Sequence, residues 1–212
     1  MSSQTRPNRL DIATLIFTLA YITGFAIWFF GRGNYEFIWY IITMLALIAL
    51  VGATLNRSRL PARILFALSL WGLAHMAGGG VPVGGGVLYS AVLVPITGAG
   101  EMTILKYDQV VHAYGFGVTA WTLWHILAVN FPSMRHSWSI YVFSALAAMG
   151  LGAVNEIIEF IAVVAMPDTN VGGYYNTALD LVFNAAGAVI AVILIATVER
   201  KTRTTPGHEP RP

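Results

Sequence analysis

His75, Asp108, His112, Glu156, Glu159, Asp180 and Asn184 interrupt stretches of sequence that are otherwise apolar. Imidazoles mixed with carboxylates form a donor set for zinc, manganese or iron, whereas Ca²⁺ and Mg²⁺ prefer oxygen alone. Catalytic zinc takes about three protein ligands and keeps a position open for water. His75, Asp108 and His112 are the expected ligands of such a zinc or manganese ion. Glu156, Glu159 and Asp180 are the expected catalytic carboxylates, with Glu156 or Glu159 taking the proton of a metal-bound water as general base. Asn184, Tyr107 and Asn155 are expected to line the pocket. A site of this kind would hydrolyse an ester, amide or phosphoester. The candidates exceed one metal's need, so two metals, or one metal with an outer shell of partners, would use the surplus.

Other chemistries use the same residues. Without a metal, a histidine oriented by Asp108 could act as general base. Intramembrane carboxylates and histidines are also the parts of ion and proton relays, which would need His125 on the opposite half. Bis-histidine haem on His75 and His112 would be crowded by acids. A purely structural reading has these groups hydrogen-bonding one another to lock helix packing. With no cysteine in the chain, thiolate chemistry and disulfides are excluded. The glycine runs are followed by no Gly-Lys-Ser/Thr and form no phosphate loop.

The elements that must position these residues are read from composition. Of 212 residues, 57% are hydrophobic and 10% charged, against about 25% charged in soluble domains. The chain is therefore expected in a membrane. Six apolar stretches reach the roughly 20 residues a span requires, at about 11–30, 36–55, 62–78, 105–130, 138–165 and 175–198. Gly31–Asn34, Asn56–Pro61, Pro132–His136 and Met166–Gly173 have the turn chemistry of connections. Arg6, Arg9, Arg57, Arg59, Arg63, Arg135, Arg200, Lys201, Arg203 and Arg211 fall on one side of this topology, leaving only Arg32 and Lys106 opposite. By the positive-inside rule both termini are cytoplasmic. The connection at 79–104 then lies outside, as a loop or a re-entrant segment covering the mouth of the bundle.

This topology puts the polar groups of four helices near the outer end. Asp108 and His112 are four apart, Glu156 and Glu159 three apart, and Asp180 and Asn184 four apart, so each pair shares a helical face. There is also an internal echo. Asp108-Gln-Val-Val-His112-Ala-Tyr-Gly115 matches Asp180-Leu-Val-Phe-Asn184-Ala-Ala-Gly187. It suggests that spans 3–4 and 5–6 are related hairpins, an arrangement membrane proteins use, with the pocket where they face each other.

His75-Met-Ala-Gly-Gly79, Tyr107-Asp-Gln-Val-Val-His112, Glu156, and Asp180 with Asn184 and Gly187 resemble the YjdF-type uncharacterised membrane proteins. The Asp-x-x-x-His and Asp-x-x-x-Asn-x-x-Gly parts are also similar to VanZ-like proteins, although those tend to have Gln after a Glu where this chain has Asn155-Glu-Ile-Ile-Glu159. The resemblance, over about 70–190, implies a multi-span bundle with a polar site. The expected protein is thus an all-α polytopic membrane bundle of six transmembrane helices. A single domain occupies 1–200, and 201–212 form a disordered cytoplasmic tail. The expected function is a metal-dependent hydrolase or transferase acting on a lipid or envelope component in the cell membrane. The alternative is a binding or transport protein for a small amphipathic molecule or ion. Membrane lipid is the expected partner, a homo-oligomer is compatible, and nucleic acid is not expected.

Overall fold

The computed structural model describes residues 7–32, 38–97, 102–165 and 173–204. Among them are six helices: α1 (Arg9–Phe30), α2 (Ile38–Ser58), α3 (Ala62–Gly80), α4 (Tyr107–Asn130), α5 (Trp138–Ala165) and α6 (Tyr174–Thr204). Each coincides with an expected stretch to within a few residues, except that α6 runs six residues further. The expected connections at 33–34 and 166–172, and the tail beyond Thr204, lie outside the described residues.

Local chemistry sets the ends. Asn8 caps α1, accepting from the Leu10 and Asp11 amides at 2.8 and 3.0 Å, and Asp11 accepts from the Asn8 amide in return. Residues 56–58, expected as connection, continue α2 instead. The helix stops at Arg59, whose left-handed φ of 48° terminates it before Pro61 starts α3. At the far end of α6, Arg135 donates twice to Glu199, at 2.9 and 3.0 Å. That pairing holds the last turns of α6 against the α4–α5 connection. His125 donates from Nε2 to the Arg59 carbonyl at 2.8 Å. Basic connections distant in sequence therefore meet at one end of the bundle.

α1, most of α2 (Tyr40–Ser58), most of α5 (Trp138–Ile161) and α6 are long and apolar enough to cross a membrane. α3 and α4 carry more polar and small residues, among them His75, Asp108, Gln109 and His112, and fall below that apolar character. α4 is the hub, packing on α3, α5 and α6, while α1 packs on α3. Small residues let α4, α5 and α6 approach: Ala120, Ala145, Ala148 and Ala188 form one buried cluster with Val192. A second cluster joins α1 to α3 and α2 through Ile22, Phe29 and Met76. Outward faces are apolar, with Ile157, Phe160, Ile161 and Val164 of α5 all exposed.

The connection after α3 is not a plain loop. It holds β1 (Pro82–Val83) paired with β2 (Gly86–Val87), and β3 (Val92–Thr97) paired with β4 (Ile104–Lys106), both antiparallel. Gly84 and Gly85 take positive φ, 56° and 87°, as a tight two-residue hairpin turn demands. The strictly all-α expectation is corrected to this extent: a Gly-Gly turn closes β1 on β2, and β-branched residues form a second antiparallel pair, β3 with β4. Between them a single turn, Leu88–Ser90, rests on α3 and α4. Tyr89 there donates to the His75 carbonyl at 2.7 Å.

Candidate functional site

The start of α4 is fixed first. Gln109, 1% exposed, accepts from the Lys106 amide at 3.0 Å and donates to the Thr103 carbonyl at 3.1 Å. This ties β4 to the first turn of α4 and sets the direction of its neighbours. One turn later His112, 3% exposed, projects toward α6 and α5.

α4 and α6 run side by side in register. His112 faces Asn184, 72 residues on, at 2.9 Å. Asp108 and Asp180, at the same offset, are joined through Asn176, whose Nδ2 donates to Asp180 at 2.6 Å and lies 3.3 Å from Asp108. Gly187 makes the approach feasible, because a Cβ there would collide with the Ala113 backbone. The Asp and His/Asn positions of the internal echo therefore meet, whereas its glycines do not: Gly187 packs on Ala113 and Gly115 faces Trp71 of α3.

The tautomer of His112 follows from its partner. An amide oxygen only accepts, so the Nδ1 beside Asn184 Oδ1 carries the hydrogen. In the neutral ring Nε2 then presents its lone pair, and it faces Asp108 Oδ1 at 3.5 Å. Two acceptors at that distance repel unless a positive charge, a proton or a metal cation, lies between them. Asp180 closes the group: ligand atoms of Asp108, His112 and Asp180 all lie within 4.8 Å of one another. Asp180 is 1% exposed, and its Oδ1 has no hydrogen-bond partner among the described residues.

A second group lies across the imidazole. His112, Glu156 and Glu159 also bring ligand atoms within 4.8 Å of one another, with Glu156 Oε1 3.7 Å from Nδ1. Glu159 accepts from the Asn155 amide at 2.8 Å. Glu156 is 6% exposed, and neither oxygen makes a hydrogen bond among the described residues. The Asn155 and Asn184 amides lie near it without reaching bonding geometry. Buried carboxylate oxygens without donors are costly, and a cation would satisfy them. The residues present thus fit a divalent metal by donor type, burial and unfilled acceptors.

Of the expected site residues, Asp108, His112, Glu156, Glu159, Asp180, Asn184 and Asn155 come together. His75 does not join either group of ligand atoms. It sits among the rings of Tyr40, Tyr89 and Trp71, at centroid distances of 5.6, 5.5 and 6.5 Å, with a buried Nδ1 that has no partner. Tyr107 donates to the Ala74 carbonyl at 3.1 Å and so ties α4 to α3. Asn176 was missed by the sequence reading. Its signal is the four-residue polar ladder Asn176–Asp180–Asn184 on one face of α6. Tyr89 was missed because a tyrosine in a glycine-rich connection carries no periodic signal.

A membrane bundle of apolar helices around buried acids and one imidazole is the class these features define. Residues 13–201 match the family model described as "Predicted membrane protein (DUF2238)". The chain belongs to this family, which includes the YjdF-type proteins, and is a membrane protein with several apolar helices. The match lends nothing to the VanZ-like resemblance. No curated protein and no solved structure matches the chain.

Proposed function

We propose that the chain is a membrane-embedded metalloenzyme, a hydrolase or transferase that works on a lipid or envelope component. One observation carries this reading: with Nδ1 of His112 engaged by Asn184, Nε2 faces Asp108 at 3.5 Å, and ligand atoms of Asp108, His112 and Asp180 lie within 4.8 Å of one another, a spacing that a bound cation would satisfy. Asp180 takes the ligand position that the sequence reading gave to His75. Zinc or manganese suits one imidazole and two carboxylates. Asn184 orients the imidazole from its other nitrogen, as outer-shell partners of metal ligands do. The metal would lower the pKa of a bound water. Glu156 and Glu159 lie across the ring, on its Nδ1 side, and would receive the proton that water gives up only through an intervening water.

The same reading takes all six helices as spans, with α3–α4 and α5–α6 as related hairpins and both termini cytoplasmic. The site then lies beneath the outer surface. An open apolar surface depression lies beside α1, lined by Tyr21, Gly24, Phe25, Trp28, Val81 and Pro82, and shares no residue with the acidic site. The transport alternative is less favoured. The histidine it would need on the opposite half, His125, is engaged by the Arg59 carbonyl.

The test is metal-dependent turnover by protein purified in detergent, against a panel of lipid esters and phosphoesters. Chelation and His112→Ala should each abolish turnover, and zinc or manganese should restore it only to the unmodified chain. Turnover indifferent to chelation and to His112→Ala would refute the reading.

A further inference from the structure

The two donor groups around His112 are not equivalent. The first contains an imidazole nitrogen with a free lone pair. The second cannot use that ring, since its Nδ1 hydrogen is held by Asn184. It nevertheless contains Glu156, 6% exposed with both oxygens unpartnered, and Glu159 a turn away on the same helix. Charge points the same way. Fully ionised, Asp108, Asp180, Glu156 and Glu159 would put four negative charges in one small pocket, and what a single divalent ion leaves must be offset by protons or by a second cation. Lys106 acts on Asp108 and Asp180, the first pair. An excess of uncompensated charge in a low-dielectric bundle is strongly unfavourable.

We infer that the chain binds a second divalent cation, held by the carboxylates of Glu156 and Glu159 on the opposite side of the His112 ring from the first. With oxygen donors only, this second site takes a harder ion than the first, manganese or magnesium rather than zinc. Glu156 has two unpartnered oxygens, so one can hold the cation while the other stays open to a proton; Glu159 keeps one oxygen on the Asn155 amide and offers the other. The inference rests on the reading of Asp108, His112 and Asp180 as a first cation site, and its experiment separates the two.

Purified protein is stripped with chelator, titrated with Mn²⁺, desalted and analysed for bound metal by mass spectrometry. The expected result is two ions per chain, falling to one in Glu156→Gln and in Glu159→Gln. Zn²⁺ should displace only the ion that survives in those variants. The variants are near-isosteric, and unchanged thermal unfolding of the stripped protein checks their fold; Glu159→Gln gives the same readout if Glu156→Gln fails to assemble. One ion per chain in the unmodified protein, unaffected by either change, would overturn the second site and leave the first standing. No bound ion at all would overturn both.

Discussion

At the residue scale the account turns on a hydrogen. Asn184 accepts from Nδ1 of His112 and so turns the other ring nitrogen toward Asp108. Asn184→Leu removes that acceptor while keeping similar bulk. It is expected to weaken metal binding about 10–100-fold, the usual cost of losing an outer-shell partner. Asn184→Asp keeps an acceptor and should retain most of the affinity; competition titration with a zinc-sensitive dye measures both. Sequence alone found these residues because ionisable groups stand out against apolar stretches and their spacing fixes a shared face. It could not decide which imidazole belongs with the acids. His75 and His112 have the same type and similar depth, and only packing shows that aromatic rings surround one and carboxylates the other.

At the element scale the in-register contact of α4 with α6 does the positioning. Gly187→Leu drives a side chain into the Ala113 backbone. It should lower stability by about 1–3 kcal/mol, the range for overpacking, and release bound metal in parallel. Gly150→Ala on α5 meets nothing within 4 Å. It should leave metal binding intact and stabilise by up to about 1 kcal/mol, the helix-propensity gain of Ala over Gly. Thermal unfolding in detergent distinguishes the two. Tyr89→Phe removes one hydrogen bond to α3, worth about 0.5–1.5 kcal/mol. Helix positions were readable from sequence because a bilayer imposes a minimum apolar length. The paired strands β1–β2 and β3–β4 were not, since β1, β2 and β4 have only two or three residues each and the six of β3, Val-Leu-Val-Pro-Ile-Thr, show no polar alternation.

At the scale of the whole molecule, arginines from connections far apart in sequence gather at one end, and Asp108, Glu156, Glu159 and Asp180 gather at the other. If that asymmetry records orientation, the two ends face opposite compartments. The chain has no cysteine, so single cysteines report on this cleanly. Ser133→Cys, in the α4–α5 connection, should react with an impermeant maleimide only after cells are opened. Val83→Cys, in β1, should react on intact cells. The reverse pattern would place the acidic pocket on the cytoplasmic side.

The most direct measurement is pulsed electron paramagnetic resonance of Mn²⁺ bound to the protein, reading the modulation from directly coordinated histidine nitrogen. The account predicts that modulation in the unmodified chain and in His75→Gln, and its loss in His112→Gln. Nitrogen modulation that survives His112→Gln, or a chain that binds no manganese, would contradict it.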